Sequence, residues 1–135
     1  MTTQATGTFE VQLQPQQPDD PAESALLGRL SIDKQFHGDL AATSKGTMLS
    51  AGTAVAGSAG YVALEQVSGT LHGRNGSFVL QHNGSMARGV PQLTITVVAD
   101  SGTDELLGLA GTMAIRITDA QHFYDFDYTL TPPEG

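Results

Sequence analysis

Hydrophobic and polar residues alternate along most of this chain. Phe9, Val11 and Leu13 alternate with Thr8, Glu10 and Gln12, and Leu30 and Ile32 alternate with Arg29, Ser31 and Asp33. Leu93, Ile95 and Val97 are interleaved with Thr94 and Thr96. Leu107, Leu109, Met113, Ile115 and Ile117 share one phase, and His122, Tyr124, Phe126, Tyr128 and Leu130 oppose Phe123, Asp125, Asp127 and Thr129. A period of two is the mark of strands with one buried face. The pattern predicts strands near 6–14, 26–36, 39–49, 60–72, 76–83, 91–99, 106–118 and 122–131. Between Gly28 and Gly111 the longest run free of Gly and Pro is ten residues, Gln92 to Ser101. Helices of average length, about eleven residues, have little room there. The chain reads as all-β.

Connections between these segments are short. Asn75-Gly76 and Asn83-Gly84 predict hairpin turns, because Asn and Gly tolerate the positive φ of type I′ turns. Ser101-Gly102-Thr103-Asp104 forms another turn cluster. Strands joined this tightly favour an antiparallel meander over one domain, residues 1–135. Eight such strands close into an up-and-down β-barrel, whose interior holds side chains or one small ligand. A two-sheet β-sandwich meets the same pattern and stands as the alternative. Two segments break the alternation. Asp20 to Gly28 carries an Asp N-cap, Pro21, Glu23 and a terminal Gly, the signals of a helical turn, although Leu26 to Phe36 also fits a strand. Ser50 to Gly60 is a loop expected over a barrel mouth, since ten of its eleven residues are Ala, Gly, Ser or Thr.

Composition narrows the chemistry. Six Lys or Arg against fourteen Asp or Glu give a net charge of −8, which argues against nucleic-acid and anionic-membrane partners. Without Cys the chain can form neither disulfides nor thiolate metal sites. No run approaches the ~18 apolar residues of a membrane-spanning helix. The first seven residues lack the basic and apolar regions of a signal peptide, so a cytoplasmic location is expected. Gly-x-Ser-x-Gly, Gly-x-Gly-x-x-Gly and a Walker lysine are all missing, and no cofactor is expected. His37, His72, His82 and His122 form neither His-x-His nor His-x-x-x-His, so no metal site is expected either.

Strand parity supplies the candidate site. On the fourth strand Tyr61, Ala63, Glu65, Val67, Gly69 and Leu71 share one face, against Val62, Leu64, Gln66, Ser68 and Thr70. With the first set inward, the barrel holds a phenol and a carboxylate on one wall. Phe78 and His82 of the fifth strand and His122 and Tyr124 of the last then complete a set of ligand-binding candidates. An apolar cavity with a few polar groups suits a small ligand. A desolvated Glu65 there has a raised pKa suited to acid or base work, which makes it the candidate catalytic residue. Each residue also has a plainer reading. Glu65 is a solvated residue if the strand faces the other way. Tyr124 and Tyr128 are core or rim aromatics, and His82 and His122 are satisfied by backbone carbonyls. Lys34, in phase with Ile32 and Phe36, snorkels to a rim.

From Phe36 onward the order of motifs resembles a known family. Phe36-His37-Gly38-Asp39-Leu40, the block from Gly60 to His82 containing Ser68-Gly69-Thr70-Leu71-His72-Gly73-Arg74-Asn75-Gly76-Ser77-Phe78, Ser101 to Gly111, and His122 to Leu130 together resemble the bacterial domain of unknown function 3224. That resemblance implies a closed eight-stranded barrel of the allene oxide cyclase-like kind and transfers no catalytic residues. The family's Gly-Ser-Gly-Thr-Gly turn stands here as Asp100-Ser101-Gly102-Thr103-Asp104. Three functions fit these observations. The first is binding of a small apolar ligand inside the barrel. The second is cofactor-free isomerisation or cyclisation with Glu65 as acid or base. The third is a structural role with a packed interior, in which Phe123 and the outer face of the fourth strand contact a second copy in a homo-oligomer.

Overall fold

The computed structural model describes residues 2–16 and 27–131. Its strands are β1 (Thr3–Gln16), β2 (Leu27–Gly38), β3 (Leu40–Gly52), β4 (Ala59–Leu71), β5 (Arg74–Ala87), β6 (Val90–Val97), β7 (Leu109–Thr118) and β8 (Gln121–Leu130). Each pairs antiparallel with the next, and β8 returns to β1, so the sheet closes as a barrel in sequence order. Closure removes the unpaired edges that an open sheet exposes. The up-and-down barrel is therefore the fold, and the sandwich alternative falls.

The alternation seen in the sequence is the inside and outside of this wall. Along β4, Ala63, Glu65, Val67 and Leu71 are buried while Val62 and Leu64 are exposed. The core is continuous from Phe9 and Phe36 through Val67, Phe78 and Leu80 to Met113, Tyr124 and Phe126. Phe78 stacks on Phe126 at 5.8 Å, and Phe36 meets Tyr124 edge-on at 5.7 Å. One end is plugged by Leu40, Leu71, Leu109 and Leu106, the last carried on a 3-10 turn, Asp104–Leu106. At the other end, the mouth, Leu13, Met86 and Leu93 stay partly exposed.

Large inward side chains sit opposite glycines. Register places Tyr124 against Gly7, Tyr61 against Gly84, Glu65 against Gly46 and Tyr128 against Gly111. At Gly84 an added Cβ would lie 2.2 Å from the Tyr61 ring, and at Gly46 it would lie 2.1 Å from the Leu64 carbonyl oxygen. These glycines make the room that a tightly coiled wall needs for its bulkiest neighbours.

Several local expectations change. Asn75-Gly76 and Asn83-Gly84 are not turns: both lie inside β5, with Gly76 against Leu106 and Gly84 under Tyr61. The turns fall just outside, at His72-Gly73 (φ 47° and 79°) and Arg88-Gly89 (φ 49° and 88°). A glycine serving as a packing gap and one serving a turn look alike in sequence. Leu107 is exposed and β7 begins at Leu109, because the 3-10 turn interrupts the period of two and buries Leu106 instead. Ser50–Gly52 extends β3 and Ala59–Gly60 opens β4, so the small-residue loop shrinks to 53–58. The helical turn expected from Asp20 lies outside the described residues, apart from Leu27 and Gly28, which begin β2.

Candidate functional site

Among the described residues, four polar or charged side chains are buried in the barrel: Lys34, Ser44, Glu65 and His82. They come from four successive strands. Lys34 on β2 faces Ser44 on β3, Gly46 on β3 faces Glu65 on β4, and His82 on β5 faces Ala63, one inward position from Glu65. Alternation turns all four inward, and register brings them to one level. Lys34 Nζ donates to Glu65 Oε1 at 3.0 Å, and His82 Nε2 meets the same oxygen at 2.9 Å. Ser44 Oγ donates to Oε2 at 2.8 Å.

This geometry decides between the paired readings. Glu65 faces inward and is shut off from solvent. The partner of His82 is a carboxylate, not a backbone carbonyl. Lys34 does not reach a rim: it is buried, its ammonium lying 5.1 Å from the Phe9 ring centroid and 5.8 Å from that of Phe36. A lysine in phase with apolar neighbours has two outcomes, snorkelling or pairing, and a carboxylate two strands away selects the second.

The charge balance also corrects the expected titration of Glu65. Burial alone pushes its carboxyl up. The His82 hydrogen bond and the nearby positive charges of Lys34 and His82 together outweigh burial and hold it below the ordinary glutamate range. Glu65 is therefore an ionised anchor at neutral pH, not a protonated acid. Because its folded pKa is depressed, the stability it contributes is present above the unfolded value of about 4.3 and is lost as pH falls through the lower folded value. Urea unfolding at pH 7 and at stepwise lower pH should show the wild type losing more stability over that window than Glu65→Gln. Parallel losses in the two proteins would refute this.

Above the cluster, toward the mouth, Tyr61 lies over Gly84. Its hydroxyl is held above the ordinary tyrosine value, first by burial and then by the charge of Glu65. The ring borders a pocket of about 310 Å³ that is lined largely by apolar atoms, with Met48, Met86, Pro91 and Leu93 around it. Part of this opening comes from the wall. Two register pairs, Ile95↔Met113 and Thr96↔Thr112, join β6 to β7, so β6 from Val90 to Thr94 runs free of that neighbour beside the mouth.

The structure thus gathers Tyr61, Glu65 and His82 and leaves the other three candidates elsewhere. Phe78 is core, stacked on Phe126. His122 packs against Phe9 at 5.1 Å. Tyr124 accepts from the Leu40 N–H at 2.8 Å and donates to the His37 carbonyl at 2.9 Å, so its hydroxyl is satisfied within the fold. Sequence reasoning missed Lys34 and Ser44 as site members. Their inward phase was visible, but which level they share with Glu65 depends on register. Among the described residues no group of three or more His, Asp or Glu is placed to hold a metal ion, and no helix is long and apolar enough to cross a membrane.

Comparison with known proteins agrees with this architecture. A crystal structure of a protein of unknown function from Shewanella oneidensis MR-1, of the DUF3224 family, is 52% identical and superposes with a TM-score of 0.92. The match covers 98% of this chain and 100% of that one. Comparison with curated proteins returns no match. The model of the family described as protein of unknown function (DUF3224) matches residues 5–128, and the chain belongs to that family.

Proposed function

We propose that the barrel binds a small, largely apolar molecule in its mouth. The observation that carries this reading is the pocket of about 310 Å³ beside Tyr61, apolar in its walls and set over a buried ionised cluster. Its volume falls at the small end of ligand pockets. Tyr61 gives the pocket one polar contact to orient an occupant. Glu65 serves as the anchor of the floor in this reading and exchanges no proton with the occupant, because both its oxygens are already taken by Lys34, His82 and Ser44.

The test uses the uncharged apolar dye Nile red. It should bind saturably near one equivalent, with a fluorescence rise. The double variant Met86→Gln/Leu93→Gln alters partly exposed mouth residues outside the core and should fold normally. It should weaken binding about tenfold, since losing two apolar contacts costs about 1.4 kcal/mol. Non-saturable dye uptake, or equal affinity in the variant, would remove the mouth as the binding site.

A further inference from the structure

The end of the barrel opposite the mouth carries a second group of polar side chains. Asp39 lies in the turn between β2 and β3, His72 in the turn between β4 and β5, and Tyr128 on β8. His72 Nδ1 hydrogen-bonds the Tyr128 hydroxyl, and His72 Nε2 lies 3.5 Å from Asp39 Oδ2. Carboxylate, imidazole and hydroxyl therefore stand in line. Nucleophile–base–orienter systems use this order, and their contacts are often looser before substrate binds.

The arrangement is held firmly. The Thr6 N–H donates to Asp39 Oδ2 at 2.9 Å, and the His72 N–H donates to the Asp39 carbonyl at 2.8 Å. His72 adopts φ 47° as the first residue of the two-residue turn it forms with Gly73, which fixes its backbone at this end of the barrel. Burial, the larger effect, pushes the Tyr128 hydroxyl above its ordinary value despite the charge of Arg74. In the tautomer that leaves Nδ1 without hydrogen, the phenol donates to His72 and the Nε2–H faces Asp39. The group opens on a pocket of about 410 Å³ lined by Thr3, His72, Arg74, Tyr128 and Leu130. In this pocket Arg74 is the cation and Leu130 the apolar wall.

We infer that Tyr128, His72, Asp39 and Arg74 form a second site, which takes a small acyl compound bearing a carboxylate. Arg74 holds the carboxylate, Tyr128 is the nucleophile, His72 its base, and Asp39 orients His72. In the acyl-transfer step the Tyr128 oxygen bonds to the acyl carbon as the bond to the leaving group breaks. The phenolic proton passes to His72 Nδ1 and from there to the leaving group. This site is separate from the mouth and stands whether or not the mouth binds a ligand.

The probe is 4-(fluorosulfonyl)benzoate, which pairs a carboxylate with an electrophilic sulfur. Reaction forms the bond from the Tyr128 oxygen to sulfur, expels fluoride and leaves a stable adduct for peptide mass mapping. Tyr128 should be labelled faster than Tyr61 and Tyr124. His72→Asn suits the positive φ and should slow labelling about a hundredfold, the scale of a lost general base. Arg74→Gln should slow it about tenfold, toward the rate of uncharged benzenesulfonyl fluoride. Circular dichroism of both variants should match the wild type. Labelling of Tyr128 no faster than Tyr61, or a His72→Asn protein that reacts at the wild-type rate, would overturn the site. Equal rates for the charged and neutral reagents would overturn the role of Arg74.

Discussion

Replacing Glu65 with Ala should lower the unfolding free energy by about 3–5 kcal/mol, the usual cost of leaving the partner of a buried ion pair uncompensated. The loss falls on Lys34, whose ammonium stays among Phe9, Phe36 and the barrel interior with its anion gone. Ser44 and His82 lose their acceptor as well. The double replacement Lys34→Met/Glu65→Leu removes both charges and fills the space with apolar atoms. It should recover to within about 1–2 kcal/mol of the wild type, because well-packed apolar side chains commonly replace a buried pair at little cost. Urea titrations with linear extrapolation read both numbers. A Glu65→Ala protein within about 1 kcal/mol of wild type would show that the pair contributes little. If the double variant instead stays as weak as Glu65→Ala, the cluster is needed for the fold itself. The expected recovery makes stability a poor reason for charges in this interior. Their position beneath the Tyr61 pocket then supplies the better one.

How much of this was legible in the sequence follows from what alternation encodes. A period of two states which residues share a face, so Glu65, His82 and Tyr61 could be grouped from sequence. Eight such segments with short connections fitted a barrel or a sandwich, and the family resemblance pointed to the closed barrel. Alternation says nothing of level along the barrel axis. Lys34 and Ser44 were therefore missed as partners of Glu65, while Tyr124, in the right phase, turned out to bond with the backbone of His37 and Leu40 instead of with the cluster. The Asp39–His72–Tyr128 line was invisible for a related reason. Two of its members sit in turns, where no period operates, and closure of β8 onto β1 is what brings the third near them. The titration of Glu65 was misjudged because burial was visible in the strand pattern and its cationic partners were not.

Two interior glycines should respond very differently to the same added methyl group. At Gly46 the new Cβ would lie 2.1 Å from the Leu64 carbonyl oxygen and 2.6 Å from Glu65 Cα, both backbone atoms of a paired strand. Neither can move without parting β3 from β4 at the level of the buried cluster. Gly46→Ala should therefore destabilise the barrel by about 3 kcal/mol or more, at the upper end of overpacking costs. At Gly84 the methyl would meet the ring of Tyr61, with Cε1 at 2.2 Å, and this half-buried side chain can swing toward the mouth. Gly84→Ala should cost only about 1–2 kcal/mol. It should also push the ring into the pocket bordered by Met86 and Leu93, so that Nile red binding falls while the fold survives. Denaturation curves and dye titrations on the two variants separate these outcomes. A Gly46→Ala barrel of wild-type stability would mean that β3 and β4 can part more easily than their register implies. A Gly84→Ala protein that is stable yet binds the dye normally would detach Tyr61 from the pocket, and with it the polar contact on which the proposed orientation of a ligand depends.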